Sequence, residues 1–211
     1  MEVNEGRDQV VRVIIPVLDE ERSVGKVIRE IPTIVSEIIV VNNGSTDNTA
    51  SVARESGATV INESRKGYGT ACLKGISYIN NLNEKTDTVV FIDGDYSDHP
   101  SEMTLLLDKI NKGADIVIGS RALGEREEGS MTVPQLFGNW LATFLIKVLY
   151  QFSYTDLGPF RAITLEKLNE IGMEDLNYGW TVEMQIKALK YKLNIVAVSY
   201  THLTLPTILR V

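Results

Sequence analysis

The chain has 211 residues with 21 Lys+Arg against 28 Asp+Glu, a formal net charge of −7, and 44% hydrophobic residues, which suits one soluble domain with an ordinary core and excludes a disordered or fibrous chain. The acidic balance offers no broad basic field for a phosphate backbone, so nucleic acid is set aside as a partner. Cys72 is the single cysteine and His99 and His202 lie far apart, which excludes a disulfide frame and a Cys/His zinc site and leads us to expect a reducing compartment.

The polar opening, residues 1–9, does not read as an export leader, and a strand-length apolar run interrupted by Arg12 follows it. Short β-branched runs then predict strands at 10–16, 37–41, 58–61, 88–93 and 115–119, with helical patterns between them. Ser23 is placed to cap a helix ending near Ile31, Asp47 to cap 48–56 ahead of Gly57, and Pro100 to start another helix. Continuous apolar strands such as VRVIIP and TVVFID imply burial on both faces, hence an α/β, Rossmann-like, mostly parallel sheet flanked by helices. Beyond a charged loop at 124–129, a helix is expected at 134–152. Its stripe of Leu136, Phe137, Trp140, Leu141 and Phe144 suits core packing, with a membrane surface or lipid acceptor as the other use. Gln135, Asn139 and Lys147 interrupt it, and it falls short of the roughly 20 mostly apolar residues of a bilayer span. DLGPFRAI follows as a Gly/Pro stretch, then a helix at 180–191 and a late strand at 194–200.

In an open α/β sheet the ligand crevice lies beyond the carboxyl ends of the strands, so three loops carry weight: PVLDEE from Pro16, NNGSTD from Asn42, and Asp93-Gly94-Asp95. Two carboxylates flanking a glycine can aim oxygens at one point and suit a hard cation, Mg²⁺ or Mn²⁺, that shares its shell with diphosphate and water. The same tripeptide is also ordinary turn chemistry, and its place at the end of a buried strand favours the metal. Asn42 and Asn43 can read a base or ribose, or simply make the turn. RKGYGTA, with Lys66 and Gly69, puts two glycines before a helix and lets backbone N–H groups approach a phosphate. It is neither a P-loop nor a dinucleotide fingerprint. Arg121 and Arg161 can clamp a diphosphate or an acceptor phosphate, or sit in surface ion pairs. Glu183 reads as a general base or as a first-turn carboxylate.

Taken in order, IPVLDEE, VVNNGSTDNT, RKGYGTA, FIDGDYSDHP, IVIGSR, DLGPFRAI and GWTVEMQIKA resemble glycosyltransferase family 2, and within it the dolichyl-phosphate mannosyltransferase-like branch, across about residues 10–200. The resemblance implies a GT-A fold in a single domain over 1–211, with a nucleotide-sugar half at about 10–120, an acceptor half at about 121–200 and an atypical tail at 201–211. It places Pro16, Leu18 and Glu20 around the base and ribose, and Asp93 and Asp95 on the metal and donor. By the same analogy Arg121 and Arg161 meet the diphosphate or acceptor phosphate, and Glu183 lies on the acceptor-side helix. Three departures stand out. Asn42 and Asn43 replace the usual Asp, Ser97 replaces a Gln that often adds a metal ligand, and THLTLPTILRV replaces a basic, glycine-containing loop, as a truncated or out-of-frame terminus would.

The implied activity is inverting transfer of a hexose from a GDP- or UDP-sugar to a polyprenyl phosphate by a cytoplasmic enzyme, peripheral at the cytoplasmic face of a membrane. A phosphate monoester has its second pKa near 6, so such a nucleophile is ionised at neutral pH without a base. A hydroxyl acceptor would need one, and Glu183 is the candidate. The competing expectation is a disabled nucleotide-binding fragment of such an enzyme. A nucleotidyltransferase is disfavoured, because acidic DEE stands where a glycine-rich, basic signature is expected.

Overall fold

All seven residues of β1 (Val11–Val17) are buried, which a strand achieves only when both its faces are covered. The computed structural model, which describes residues 9–120, 154 and 158–199, shows what covers them. Arg121, the charged loop at 124–129, the helix expected at 134–152 and the tail at 201–211 lie outside the described residues.

β2 (Glu37–Asn42) and β4 (Thr88–Phe91) flank β1, both parallel to it, and β3 (Thr59–Asn62) pairs in parallel beyond β2. β5 (Ile116–Ser120), β6 (Arg161–Thr164) and β7 (Ile195–Ser199) complete a seven-stranded sheet of order β3-β2-β1-β4-β6-β5-β7. β6 was not among the expected strands. It enters antiparallel between β4 and β5, so the sheet is mixed. Its four residues, RAIT, begin with a charged side chain and follow a Gly/Pro stretch, so no apolar run marks them as a central strand.

Among the described residues six helices cover the sheet: α1 (Val24–Glu30), α2 (Thr49–Glu55), α3 (Tyr68–Asn80), α4 (Met103–Asn111), α5 (Leu165–Ile171) and α6 (Trp180–Lys190). Pro100 opens a 3₁₀ turn, Pro100–Glu102, leading into α4. Side chains of a strand alternate between faces. Val13, Ile15, Val90 and Ile92 pack with Val27 of α1 and Leu106 of α4. Ile14, Val89 and Phe91 pack on the other face with Cys72 of α3, Leu168 of α5 and Trp180 of α6. Asp93 follows Phe91 by two positions and so continues the α3/α6 face.

Arg12, the polar interruption in the first apolar run, is only 4% exposed. Its Nε donates to Glu37 Oε2 at 3.0 Å, and further bonds reach Thr86 and Glu84. Glu37 in turn accepts from the Thr59 and Tyr78 hydroxyls. A charge buried in a strand is tolerated because it is paired and hydrogen-bonded.

Candidate active site

The sheet reverses its order at β1, with β2 on one side and β4 on the other, and the loops leaving the carboxyl ends of these strands form one rim. The loop after β1 and the loop after β2 are stitched together. Asp19 Oδ1 accepts from Thr46 N at 2.7 Å, and Asp19 N donates to Ser45 Oγ at 3.0 Å. Glu20 N donates to Thr49 Oγ1 at 2.7 Å, and Glu21 Oε2 accepts from Asn48 N at 3.0 Å. Asp19 sits at φ 56°, a left-handed conformation that Asp tolerates better than most side chains. The acidic run is therefore largely an internal brace.

Asn48, not the expected Asp47, holds the N-cap position of α2; Asp47, one residue earlier, accepts from Thr49 N at 3.0 Å. Burial alone would raise its pKa. Donors from Thr49 and Glu21 outweigh that and hold the carboxyl below its ordinary value. Ser23 occupies the position before α1, but its hydroxyl turns back to Glu20 Oε2 at 2.6 Å instead of capping.

Pro16 is buried in β1, Leu18 is 45% exposed and Glu20 is half-buried, so the first loop presents a short apolar and polar lip. Asn42 donates to Asn62 Oδ1 at 3.0 Å and accepts from Ser45 N at 3.0 Å. Asn43 is 6% exposed and fully engaged, its Nδ2 on the Glu63 and Arg65 carbonyls and its Oδ1 on Gly67 N at 2.9 Å. It shapes the loop carrying Lys66, which is exposed.

The helix start at Gly69 differs from the expected phosphate cradle. Gly69 N donates to Asn177 O at 3.2 Å and Thr70 N to Leu176 O at 3.0 Å, so these N–H groups face the 172–179 loop. The glycine is needed for close approach, since a Cβ there would lie 2.0 Å from Asp175 O. Gly69→Ala is expected to cost about 2 kcal/mol by overpacking, seen as a lowered thermal midpoint.

At the end of β4, Asp93 and Asp95 are half-buried at the rim. Gly94 lets the turn pass against β1, because a Cβ would meet Val17 Cγ1 at 2.6 Å. Asp95 Oδ1 accepts from Ser97 N at 2.9 Å, so Ser97 supports the acid through its backbone. Asp93 Oδ1 accepts from the Tyr68 hydroxyl at 2.9 Å. Burial, followed by the charge of Asp93, pushes the Tyr68 phenol well above its ordinary pKa, keeping it a neutral donor. Among the described residues no group of three or more His, Cys, Asp or Glu side chains forms a cation site. Two half-exposed carboxylates still fit Mg²⁺ or Mn²⁺, which takes few protein ligands and completes its shell with phosphate and water oxygens.

Two expected rim residues are engaged by other parts of the protein. Arg161, read as a phosphate clamp, is 0% exposed within β6. One guanidinium nitrogen donates to Thr181 O at 3.1 Å and another to Gly158 O. Through these bonds the guanidinium joins β6 to the start of α6. Glu183, read as a general base, accepts from Glu174 N at 2.9 Å and Asp175 N at 2.8 Å and pairs with Lys187 at 2.7 Å. It holds the 172–179 loop. Tyr68 is the residue that sequence reasoning passed over, although its position between the two glycines of RKGYGTA was the available signal.

The model of the family described as glycosyl transferase family 2 matches residues 12–172. The chain belongs to glycosyltransferase family 2. It is thus an enzyme that moves a sugar from a nucleotide-sugar donor, and its sheet is that of a GT-A fold. The transferase is 32% identical over 180 residues to an uncharacterized glycosyltransferase of Mycobacterium tuberculosis, covering 84% of this chain and 78% of that one. It is 31% identical over 195 residues to a dolichyl-phosphate hexose transferase of Haloferax volcanii, covering 88% of this chain and 79% of the relative. Glucosyl-3-phosphoglycerate synthase from M. tuberculosis, solved with uridine diphosphate, superposes with a TM-score of 0.74 at 25% identity, covering 94% of this chain and 74% of the synthase. The same synthase, solved with Mn²⁺, uridine diphosphate and glucosyl-3-phosphoglycerate, superposes equally well at 24% identity, a likeness of fold.

Proposed function

We propose that this transferase moves a hexose from a UDP- or GDP-sugar to a polyprenyl phosphate, with inversion at the anomeric carbon, as a peripheral enzyme at the cytoplasmic face of a membrane. The observation that carries the acceptor is the engagement of Glu183 by two backbone N–H groups and Lys187. A carboxylate so occupied is tied to the 172–179 loop and to Lys187, which matters little to a phosphate that is already ionised at neutral pH and needs no base. The dolichyl-phosphate hexose transferase among its relatives supports the same acceptor class. Among the described residues no helix is long and apolar enough to cross a membrane.

In this reading Pro16, Leu18 and Glu20 border the nucleoside, with Asn42 beside them, while Asn43 holds the loop from which Lys66 reaches a diphosphate oxygen. Asp93 and Asp95 would hold Mg²⁺ or Mn²⁺ against the diphosphate. When bound, that ion supplies positive charge for the departing nucleotide diphosphate. Arg121 would add a guanidinium on the diphosphate side, immediately after β5 in the sequence.

Calorimetric titration with UDP and GDP, each with and without Mn²⁺, tests the donor reading, and no binding of either nucleotide overturns it. Transfer of radiolabelled hexose to a short-chain polyprenyl phosphate, set against 3-phosphoglycerate, tests the acceptor. A product with phosphoglycerate alone would move the reading to a hydroxyl acceptor. Glu183→Gln separates the two chemistries independently. Loss of a general base costs about 10²–10⁴-fold in turnover. We expect instead less than a ten-fold change, with faster hydrogen exchange at the Glu174 and Asp175 amides as the loop loosens.

A further inference from the structure

RKGYGTA resembles a phosphate-cradling loop, yet the N–H groups of Gly69 and Thr70 face other parts of the chain, which leaves the motif without the role its glycines suggest. What the glycines do is bring α3 against the 175–177 backbone. A Cβ at Gly67 would lie 2.2 Å from Leu176 O, and Gly67 adopts φ 139°, a conformation that side chains rarely take. The start of α3 is then held from two sides. Thr70 donates through both N and Oγ1 to Leu176 O at 3.0 Å, and Asn43 Oδ1 accepts from Gly67 N at 2.9 Å. Between these anchors stands Tyr68, with its hydroxyl 2.9 Å from Asp93 Oδ1.

We propose that Tyr68 is a positioning residue for Asp93, fixing the plane of its carboxylate so that a divalent cation is met in one orientation; this rests on the reading of Asp93 and Asp95 as the cation ligands. The chemistry of the donor supports it. A lysine at this place would neutralise the carboxylate and compete with a cation, whereas a phenol restrains one oxygen and leaves the negative charge in place. The restraint is also built from the backbone outward: Asn43, Gly67, Gly69 and Thr70 fix where the Tyr68 ring begins, so the hydrogen bond does not depend on a long flexible side chain. Hydrogen-bonding partners of metal ligands commonly contribute 10–100-fold to metal affinity.

The test is Tyr68→Phe, which keeps the ring and deletes the hydroxyl. Binding of UDP and GDP to the full chain is followed by calorimetry while Mn²⁺ is varied. The proposal expects the Mn²⁺ concentration for half-maximal nucleotide binding to rise about ten-fold, with metal-free nucleotide affinity and the thermal midpoint unchanged. Equal Mn²⁺ midpoints in wild type and variant overturn it. A loss of metal-free affinity and thermal stability with no change in Mn²⁺ midpoint assigns Tyr68 a purely structural role, which also overturns it. Binding by the wild type that is indifferent to Mn²⁺ overturns the reading of Asp93 and Asp95 themselves, and is distinguished from the other outcomes because it appears without any substitution.

Discussion

Asp95→Asn is expected to weaken Mn²⁺-dependent binding of the nucleotide diphosphate by at least ten-fold and to cut turnover by about 10²-fold or more. The substitution is informative because it is nearly silent in geometry. Asp95 Oδ1 accepts from Ser97 N at 2.9 Å, and an Asn carbonyl can accept the same bond, so the turn after β4 keeps its shape. What disappears is one negative charge at the rim, on a residue whose neighbour Asp93 supplies the other carboxylate. With a cation that draws only a few ligands from protein, losing one charge is felt both in its retention and in the stabilisation it offers to the leaving diphosphate. Metal-free nucleotide affinity should be unchanged or slightly improved, since a like charge facing the diphosphate has gone. Calorimetry with and without Mn²⁺ separates these effects. Unchanged metal dependence would remove Asp95 from the cation site.

The second large effect concerns stability. Arg161→Ala is expected to destabilise the fold by about 3 kcal/mol or more, because two backbone carbonyls lose charged donors and a fully buried side chain is emptied from the sheet. For a chain of this size that corresponds to a fall of roughly 6–12 °C in the thermal midpoint. Arg161→Lys does not rescue it in this account, since a single ammonium cannot reproduce the planar fork joining Gly158 O and Thr181 O. Differential scanning calorimetry decides. A variant with the wild-type midpoint but no transfer would restore Arg161 to the rim as a phosphate clamp.

These outcomes bear on how much a sequence of this kind discloses. The strands β1, β2, β4 and β5 were legible to within one or two residues because each is an apolar run whose burial is a property of its own residues. Their carboxyl ends place PVLDEE, NNGSTD and DGD at one rim. β6 was not legible: RAIT is a strand because β4 and β5 stand on either side of it, and its antiparallel sense follows from a chain path that no local pattern encodes. The same limit applied to chemistry. Glu183 and Arg161 carry the residue types of a base and a clamp, and the types alone could not say that each would meet partners inside the protein.

The sequence by itself determined the α/β class, the succession of strands and helices, the family, and the placing of Asp93 and Asp95 just beyond a buried strand, because periodicity, turn residues and strand-end position are local properties. Only the tertiary structure decided which polar atoms are engaged within the protein. Thr70 meets Leu176 across 106 residues and Tyr68 meets Asp93 across 25, bonds that exist because the fold juxtaposes distant segments. The physical reason is that a buried polar group must find a hydrogen-bond partner wherever the fold provides one. In this transferase that demand joins the RKGYGTA segment to Leu176 through Thr70 and to Asp93 through Tyr68.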